Sequence, residues 1–264
     1  MIGCSQLKLT IAYDGTRYAG WQRQRFRGSD PLQTSSRRPS SEPPSIQETI
    51  ERVLQRIVRR PVTVVASGRT DAGVHAAGQV AHVRLTTALS AERLLRSVNQ
   101  LLPPDIAVLA IEPVRDTFHA RFNTIGKWYR YRIYTGSVVP PFIRPYVHHV
   151  QTPLRVPLMR REARVLIGRH NVRAFARQPP QRQRSTQRVI SEVTLRRLGP
   201  ELHLDVAGTG FLHTMVRSIA GTLIDVGRGR LPPGTIRRML RTGDRRLAGT
   251  TAPAKGLTLL RVDY

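Results

Sequence analysis

The sequence predicts an α+β protein made of two ferredoxin-like, RRM-like halves. Three observations carry this. Apolar residues alternate over short runs, as in half-buried strands; in longer runs they recur every three or four positions, as in amphipathic helices; and the runs come twice in the order strand, helix, strand, strand, helix, strand. Two such halves can join edge to edge into one extended, largely antiparallel sheet, with helices on one face and a basic cleft on the other. The halves are expected at 1–116 and 117–264, although no residue-level repeat relates them.

In the first half, "KLTIAYD" sets Leu9, Ile11 and Tyr13 against Lys8, Thr10 and Ala12, a strand period. Residues 25–44, rich in Ser, Pro and Arg, hold almost nothing to bury and read as a flexible insertion. Ser45 followed three residues later by Glu48 is a capping-box pattern, and Ile46, Ile50, Val53, Leu54 and Ile57 then share one helical face before Pro61. "VTVVAS" and "QVAHVRL" read as strands around a glycine-flanked loop. A helix from about Ser90 to Leu102 stops at Pro103-Pro104 and leads into the strand "IAVLAI".

In the second half, "WYRYRIY" reads as a strand, Pro153 to about Ile167 as a helix, and "RVISEVTLRRL" with "LHLDVAG" as a strand pair. Leu212, Val216, Ile219, Ala220 and Leu223 give an apolar helical face. A short helix at "TIRRML" and a last strand "LTLLRVDY" complete the order.

The 264 residues carry 43 Lys and Arg against 17 Asp and Glu, a formal charge of +26. A field of that sign and size attracts a polyanion, nucleic acid ahead of membrane. Lysine occurs only at Lys8, Lys127 and Lys255, so the charge is nearly all arginine, which genome base composition also favours; arginine's planar fork suits phosphates and stacked bases. Cys4 is the only cysteine and the histidines form no HExxH, which argues against a disulfide framework and a protein-held metal. No apolar run approaches the ~20 residues of a membrane span, and the first residues lack a secretory pattern, so a soluble cytoplasmic protein is expected.

Three stretches could carry chemistry. "SGRTDAGVH" places Asp71 between Gly68 and Gly73, two residues from Arg69, in a chain poor in acids. An Asp in such a loop often only hydrogen-bonds its own turn. Beside arginine it is also held as its carboxylate, the form a nucleophile or base needs. "GKWYRYRIY" puts Tyr129, Tyr131 and Ile133 on one strand face and Trp128, Arg130, Arg132 and Tyr134 on the other. Core packing suits Tyr131 and Trp128, while interleaved basic and aromatic residues also make a platform for unpaired bases. "GTGFLHTMVRSIAGTLIDVG" lacks the third glycine of a dinucleotide loop, leaving an apolar helix with Arg217 at its margin, where it reaches either solvent or a carboxylate.

Together these stretches resemble the tRNA pseudouridine synthases of the TruA type. "YDGTRYAGWQRQ", "SIQETIERVL", "SGRTDAGVHAAGQVAH", "NQLLPPDIAV", "FHARFNTIGKWYRYRI", "GTGFLHTMVRSIAGTLIDVG" and "TAPAKGLTL" run in family order over nearly the whole chain. The resemblance implies isomerisation of uridine to pseudouridine at positions 38, 39 and 40 on the 3′ side of the tRNA anticodon stem-loop, without a cofactor. It implies Asp71 as the catalytic aspartate and Tyr129 as the tyrosine packed on the target base. Arg217 would be the arginine paired with the aspartate, Leu257 the apolar residue closing the pocket, and Arg69 an arginine that holds RNA and helps the target nucleotide enter. It further implies a homodimer with tRNA, and not DNA, as partner. The chain departs from the family pattern in two places. Residues 25–44 look inserted, and "RHNVRAFARQ" puts Asn171 and Val172 where many members have Asp-Phe. Two other functions are compatible with the residues: a non-catalytic basic RNA-binding protein, and the same isomerisation on a different RNA.

Overall fold

The computed structural model describes residues 3–22, 43–177 and 185–264. All but the last two residues of the expected insertion at 25–44 therefore lie outside the described residues. The chain divides into two units, Met1–Asn123 and Thr124–Tyr264.

The first unit runs β1 (Gly3–Tyr13), α1 (Ile46–Val58), β2 (Val64–Ala66), β3 (His75–Thr87), α2 (Ala91–Leu101) and β4 (Ile106–Val114). β1 pairs antiparallel with both β4 and β3, and β2 pairs antiparallel with β3, giving the order β4-β1-β3-β2 of a ferredoxin-like sheet. The local reasons are those the sequence carries. The Ser45 hydroxyl accepts the Glu48 N–H and opens α1, whose Ile46, Ile50 and Leu54 are buried at four-residue spacing. Ser90 caps α2 in the same way; Leu102, before two prolines, turns extended at ψ 148° and ends it.

Residues 43–47 return alongside 19–21. The Ala19 N–H donates to the Pro44 carbonyl (3.0 Å), the Ile46 N–H to the Gly20 carbonyl (3.1 Å) and the Gln47 N–H to the Trp21 carbonyl (3.0 Å).

The second unit runs β5 (Gly126–Tyr134), β6 (His148–His149), α3 (Val156–Arg164), β7 (Gly168–Asn171), β8 (Gln187–Leu198), β9 (Glu201–Gly208), α4 (Met215–Gly227), α5 (Thr235–Thr242) and β10 (Leu257–Asp263). β5 pairs antiparallel with β10 and β9, and β9 with β8, so β10-β5-β9-β8 repeats the permutation of the first unit. Two short strands were not expected: β7 adds an antiparallel edge to β8, and two-residue β6 pairs parallel to β5. α4 differs from the single apolar face expected of it. Except for Arg217, every residue from Met215 to Gly227 is buried. The N-terminus of α5 is held by the buried carboxylate of Glu162 on α3, which accepts the Gly234 (2.8 Å) and Ile236 (3.2 Å) N–H groups. Among the described residues no helix is long and apolar enough to cross a membrane.

Candidate active site

Asp71 lies in the loop that joins β2 to β3, and the loop is held mostly through its backbone. The Val74 N–H donates to the Asp71 carbonyl (3.1 Å) and closes a turn in which Gly73 takes φ +75°, a conformation glycine adopts without strain. On one side of Asp71, the Thr70 carbonyl accepts the Trp21 N–H (3.1 Å) and the Thr70 hydroxyl is hydrogen-bonded to the Tyr13 hydroxyl (2.8 Å). Burial pushes that tyrosine up to about 12, against the smaller opposing effect of Thr70, so it stays a neutral partner. At the start of the loop, Ser67 donates to Gln79 Oε1 (2.8 Å), and Gln79 Nε2 donates to the Gly68 carbonyl (3.0 Å).

Two glycines of "YDGTRYAGW" let the chain leaving β1 press against this loop. A β-carbon at Gly15 would sit 2.1 Å from the Val74 carbonyl oxygen. One at Gly20, where φ is +95°, would sit 2.7 Å from the Thr70 oxygen and 3.0 Å from Ala72 N. The Gly15 N–H donates to His75 Nδ1 (3.1 Å), which ties the other end of the loop. Asp71 is thus half-buried on a braced turn, with Arg69 exposed beside it. Sequence reasoning missed the brace. Its only signal was the pair of glycines two and seven residues after Tyr13, where the strand period ends, and a glycine does not say what approaches it.

In the second unit, Tyr129, Leu257 and Arg217 come from β5, β10 and α4. Tyr129 opposes Leu259 on β10 and Val206 on β9, while Leu257 opposes Tyr131, so Leu257 and Tyr129 are diagonal neighbours on one sheet face. The Tyr129 ring meets the edge of Phe211 at 5.0 Å. Tyr131 is fully buried and packs as expected: its hydroxyl donates to the Pro253 carbonyl (2.9 Å). Burial pushes that phenol up, beyond the opposing pull of the Arg217 charge. Arg217 is fixed by a segment that runs along α4. Its Nε donates to the Ala252 carbonyl (2.8 Å), and its own carbonyl accepts the Ala252 N–H (3.1 Å). One turn on, Gly221 leaves the space for Thr250, whose carbonyl oxygen would be 1.7 Å from a β-carbon there. Further along, Thr222 accepts from the Gly249 N–H (3.1 Å) and Asp225 from the Thr250 N–H (3.0 Å). This segment runs on into Leu257, so one strap sets both the arginine and the apolar residue.

The opposite face of β5 is not a free basic platform. Arg130 grips Asp205 through two hydrogen bonds (2.7 and 2.9 Å), and Arg196 adds a third (2.7 Å). Burial alone would raise the Asp205 carboxyl, but these guanidinium bonds outweigh it and hold it below the usual range. Arg132 makes the same paired grip on Glu201 (2.8 Å twice), with His203 bonded to one of its oxygens, which lowers that carboxyl too. Trp128 donates to Asp263 (2.8 Å) under the Arg261 guanidinium, 4.3 Å from the ring centre. Asn171, where many TruA-type sequences carry an acid, accepts from the Thr186 hydroxyl (2.8 Å) and the Arg173 N–H (3.2 Å), a turn-holding role that an amide fills.

The family model described as tRNA pseudouridine synthase matches residues 9–123 and 163–264. The chain is 42% identical over 260 residues to a tRNA pseudouridine synthase A of Syntrophotalea carbinolica, covering 98% of this chain and 96% of that one. It is 41% identical to the protein so named in Moorella thermoacetica, over 98% and 99% of the two chains. The Bacillus subtilis protein of that name is 40% identical over the same shares.

Proposed function

The chain belongs to the tRNA pseudouridine synthase family, and on that premise we propose that it converts uridine to pseudouridine on the 3′ side of the tRNA anticodon stem-loop, with Asp71 as the catalytic carboxylate. Tyr129 lies against the target base, Arg217 is the guanidinium that pairs with the carboxylate, Leu257 closes the pocket and Arg69 holds RNA. The conversion breaks the N1–C1′ bond and forms C5–C1′; C5 loses a proton and N1 gains one. An ionised carboxylate acts on the ribose or the ring as nucleophile or base. Between the two bond changes the uracil must stay out of water and turn in its own plane. A flat aromatic and an apolar side chain on one face allow that rotation without offering the base a competing hydrogen bond.

The observation that carries this reading is the brace around Asp71. Glycines at 15 and 20 admit backbone within what would be a β-carbon's radius, and hydrogen bonds reach the loop on both sides of the aspartate. A turn that served only to join two strands would need none of this, whereas a reacting group must be held to a fraction of an ångström. The strap that fixes Arg217 and leads to Leu257 is the same kind of support.

Incubating the protein with an unmodified tRNA transcript and mapping pseudouridine tests the reading. Product is expected in the 3′ arm of the anticodon stem-loop, with loss of at least a thousandfold in rate for Asp71→Asn. Tight tRNA binding with no product from the native chain would make it a non-catalytic RNA-binding protein; product elsewhere would move the address. The protein works as a homodimer in the cytoplasm on this reading, with tRNA and not DNA as partner, and needs no cofactor. Sedimentation equilibrium and competition with duplex DNA check the first and third of these.

A further inference from the structure

Outside the groups assigned above, one surface of the first unit is built in a way that packing alone does not require. Three rings follow one another from β3 outward. His82 on β3 is half-buried, with the edge of Phe118 against it at 6.3 Å and His119 at 4.7 Å. His119 in turn stacks on Phe122 at 4.2 Å with the planes 28° apart. The series ends there, because Phe122 is 77% exposed.

The segment carrying these rings is tied down and not simply draped. His82 Nδ1 accepts the Ala120 N–H (3.1 Å), His119 Nδ1 accepts the Arg121 (3.1 Å) and Phe122 (3.3 Å) N–H groups, and Gln6 Nε2 donates to the Phe118 carbonyl (3.0 Å). Burial, then the neighbouring His119, lowers His82 and keeps it a neutral ring. One face of Phe122 is therefore fixed by His119 and the other is open. Arginines adjoin it in the sequence: Arg121 is its chain neighbour and, like Arg115, is exposed, and Arg84, two residues along β3 from His82, pairs with Asp116 at 3.0 Å. Glu112, the nearest other acid along the chain, is taken by Lys8 at 3.0 Å.

An exposed, rigidly backed aromatic among arginines matches a base flanked by phosphates better than it matches an apolar protein surface, which would want more uncharged area. We propose that Phe122, backed by His119 and His82, is a stacking platform for an unpaired RNA base other than the target uridine, with Arg115 and Arg121 meeting the adjoining phosphates. This rests on the reading that the substrate is RNA. His82, the inner end of the platform, lies seven residues along β3 from His75 at the end of the Asp71 loop, roughly 23 Å at the rise of a strand. That separation suits a different nucleotide of the same RNA.

The test uses the full chain and a fluorescein-labelled oligoadenylate, which contains no uridine and so reads binding apart from isomerisation. By fluorescence anisotropy, Phe122→Ala is expected to weaken binding about 5- to 150-fold, the span of losses when a base-stacking aromatic is truncated. Phe122→Leu keeps apolar area but no π face and is expected to lose nearly as much. Phe122→Trp is expected to stay within about threefold of the native protein and to show added emission that RNA quenches. Native affinity in Phe122→Leu, or Phe122→Trp emission indifferent to RNA, overturns the proposal. So does a change in sedimentation with Phe122→Ala, which would make the ring part of an interface between copies of the chain. Failure to isomerise tRNA would count against the proposed function above while leaving these binding results to stand by themselves.

Discussion

Gly20→Ala perturbs the Asp71 loop without touching any group assigned to the chemistry. Gly20 has φ +95°, where an L side chain is strained by roughly 1–3 kcal/mol. The new β-carbon would also stand 2.7 Å from the Thr70 oxygen and 3.0 Å from the Asp71 carbonyl carbon and Ala72 N, all backbone atoms with no rotamer to swing aside. Restoring ordinary contact requires the loop to retreat by about 0.5–1 Å, since real β-carbon contacts begin near 3.4 Å. Loss of stability should reach ~2–4 kcal/mol, and displacement of that size typically costs on the order of 10–100-fold in rate. The control is Gly199→Ala, at φ +57° with nothing within 4 Å of its β-carbon. It carries the strain without the collision and should lose about 1 kcal/mol with native turnover. Urea denaturation measures the stabilities, and single-turnover release of tritium from C5-labelled uridine in tRNA measures the rate at a temperature where each variant is folded. A Gly20→Ala protein that is folded and reacts within twofold of native would refute the claim that the backbone brace positions Asp71.

Asp205→Ala should destabilise the second unit by ~2 kcal/mol, because it leaves the half-buried Arg130 without its partner while the exposed Arg196 turns to solvent; the native carboxyl, held below its usual range, makes its contribution above about pH 4 and loses it as acid protonates it, which urea midpoints against pH will record. His148 is lowered from 6.5 to about 4 by burial and then by the Arg228 and Lys255 charges, and its Nδ1 is buried without a hydrogen bond. The unfolded chain therefore binds the proton first, so stability is flat above about pH 6.5 and falls by up to ~2 kcal/mol towards pH 4.5; His148→Phe should flatten that part of the curve. With a formal charge of +26, the logarithm of tRNA affinity should fall linearly with the logarithm of salt concentration; a filter-binding series showing no slope would remove phosphate contact from the account.

Elements whose causes are local were legible in the sequence. Ser45 and Glu48 announce α1, the two prolines after Leu102 end α2, and the alternation of Tyr129, Tyr131 and Ile133 with arginines marks β5 and its two faces. Asp71 stood out by its glycines and by the scarcity of acids, and Arg217 by its place at the margin of an apolar helix. What could not be read depends on partners far along the chain. Arg130 and Arg132 look like free cations until β9 brings Asp205 and Glu201 opposite them, about 70 residues on. Gly15, Gly20 and Gly221 look like turn or helix-weakening residues until Val74, Thr70 and Thr250 arrive against them. β6 and β7, two and four residues long, are too short for any period to show.

The hydrogen bonds between residues 19–21 and 44–47 fasten the chain that backs the Asp71 loop to the start of α1. Pinned in this way, the residues that back the Asp71 loop are anchored on the entry of α1 and move only if that helix end does.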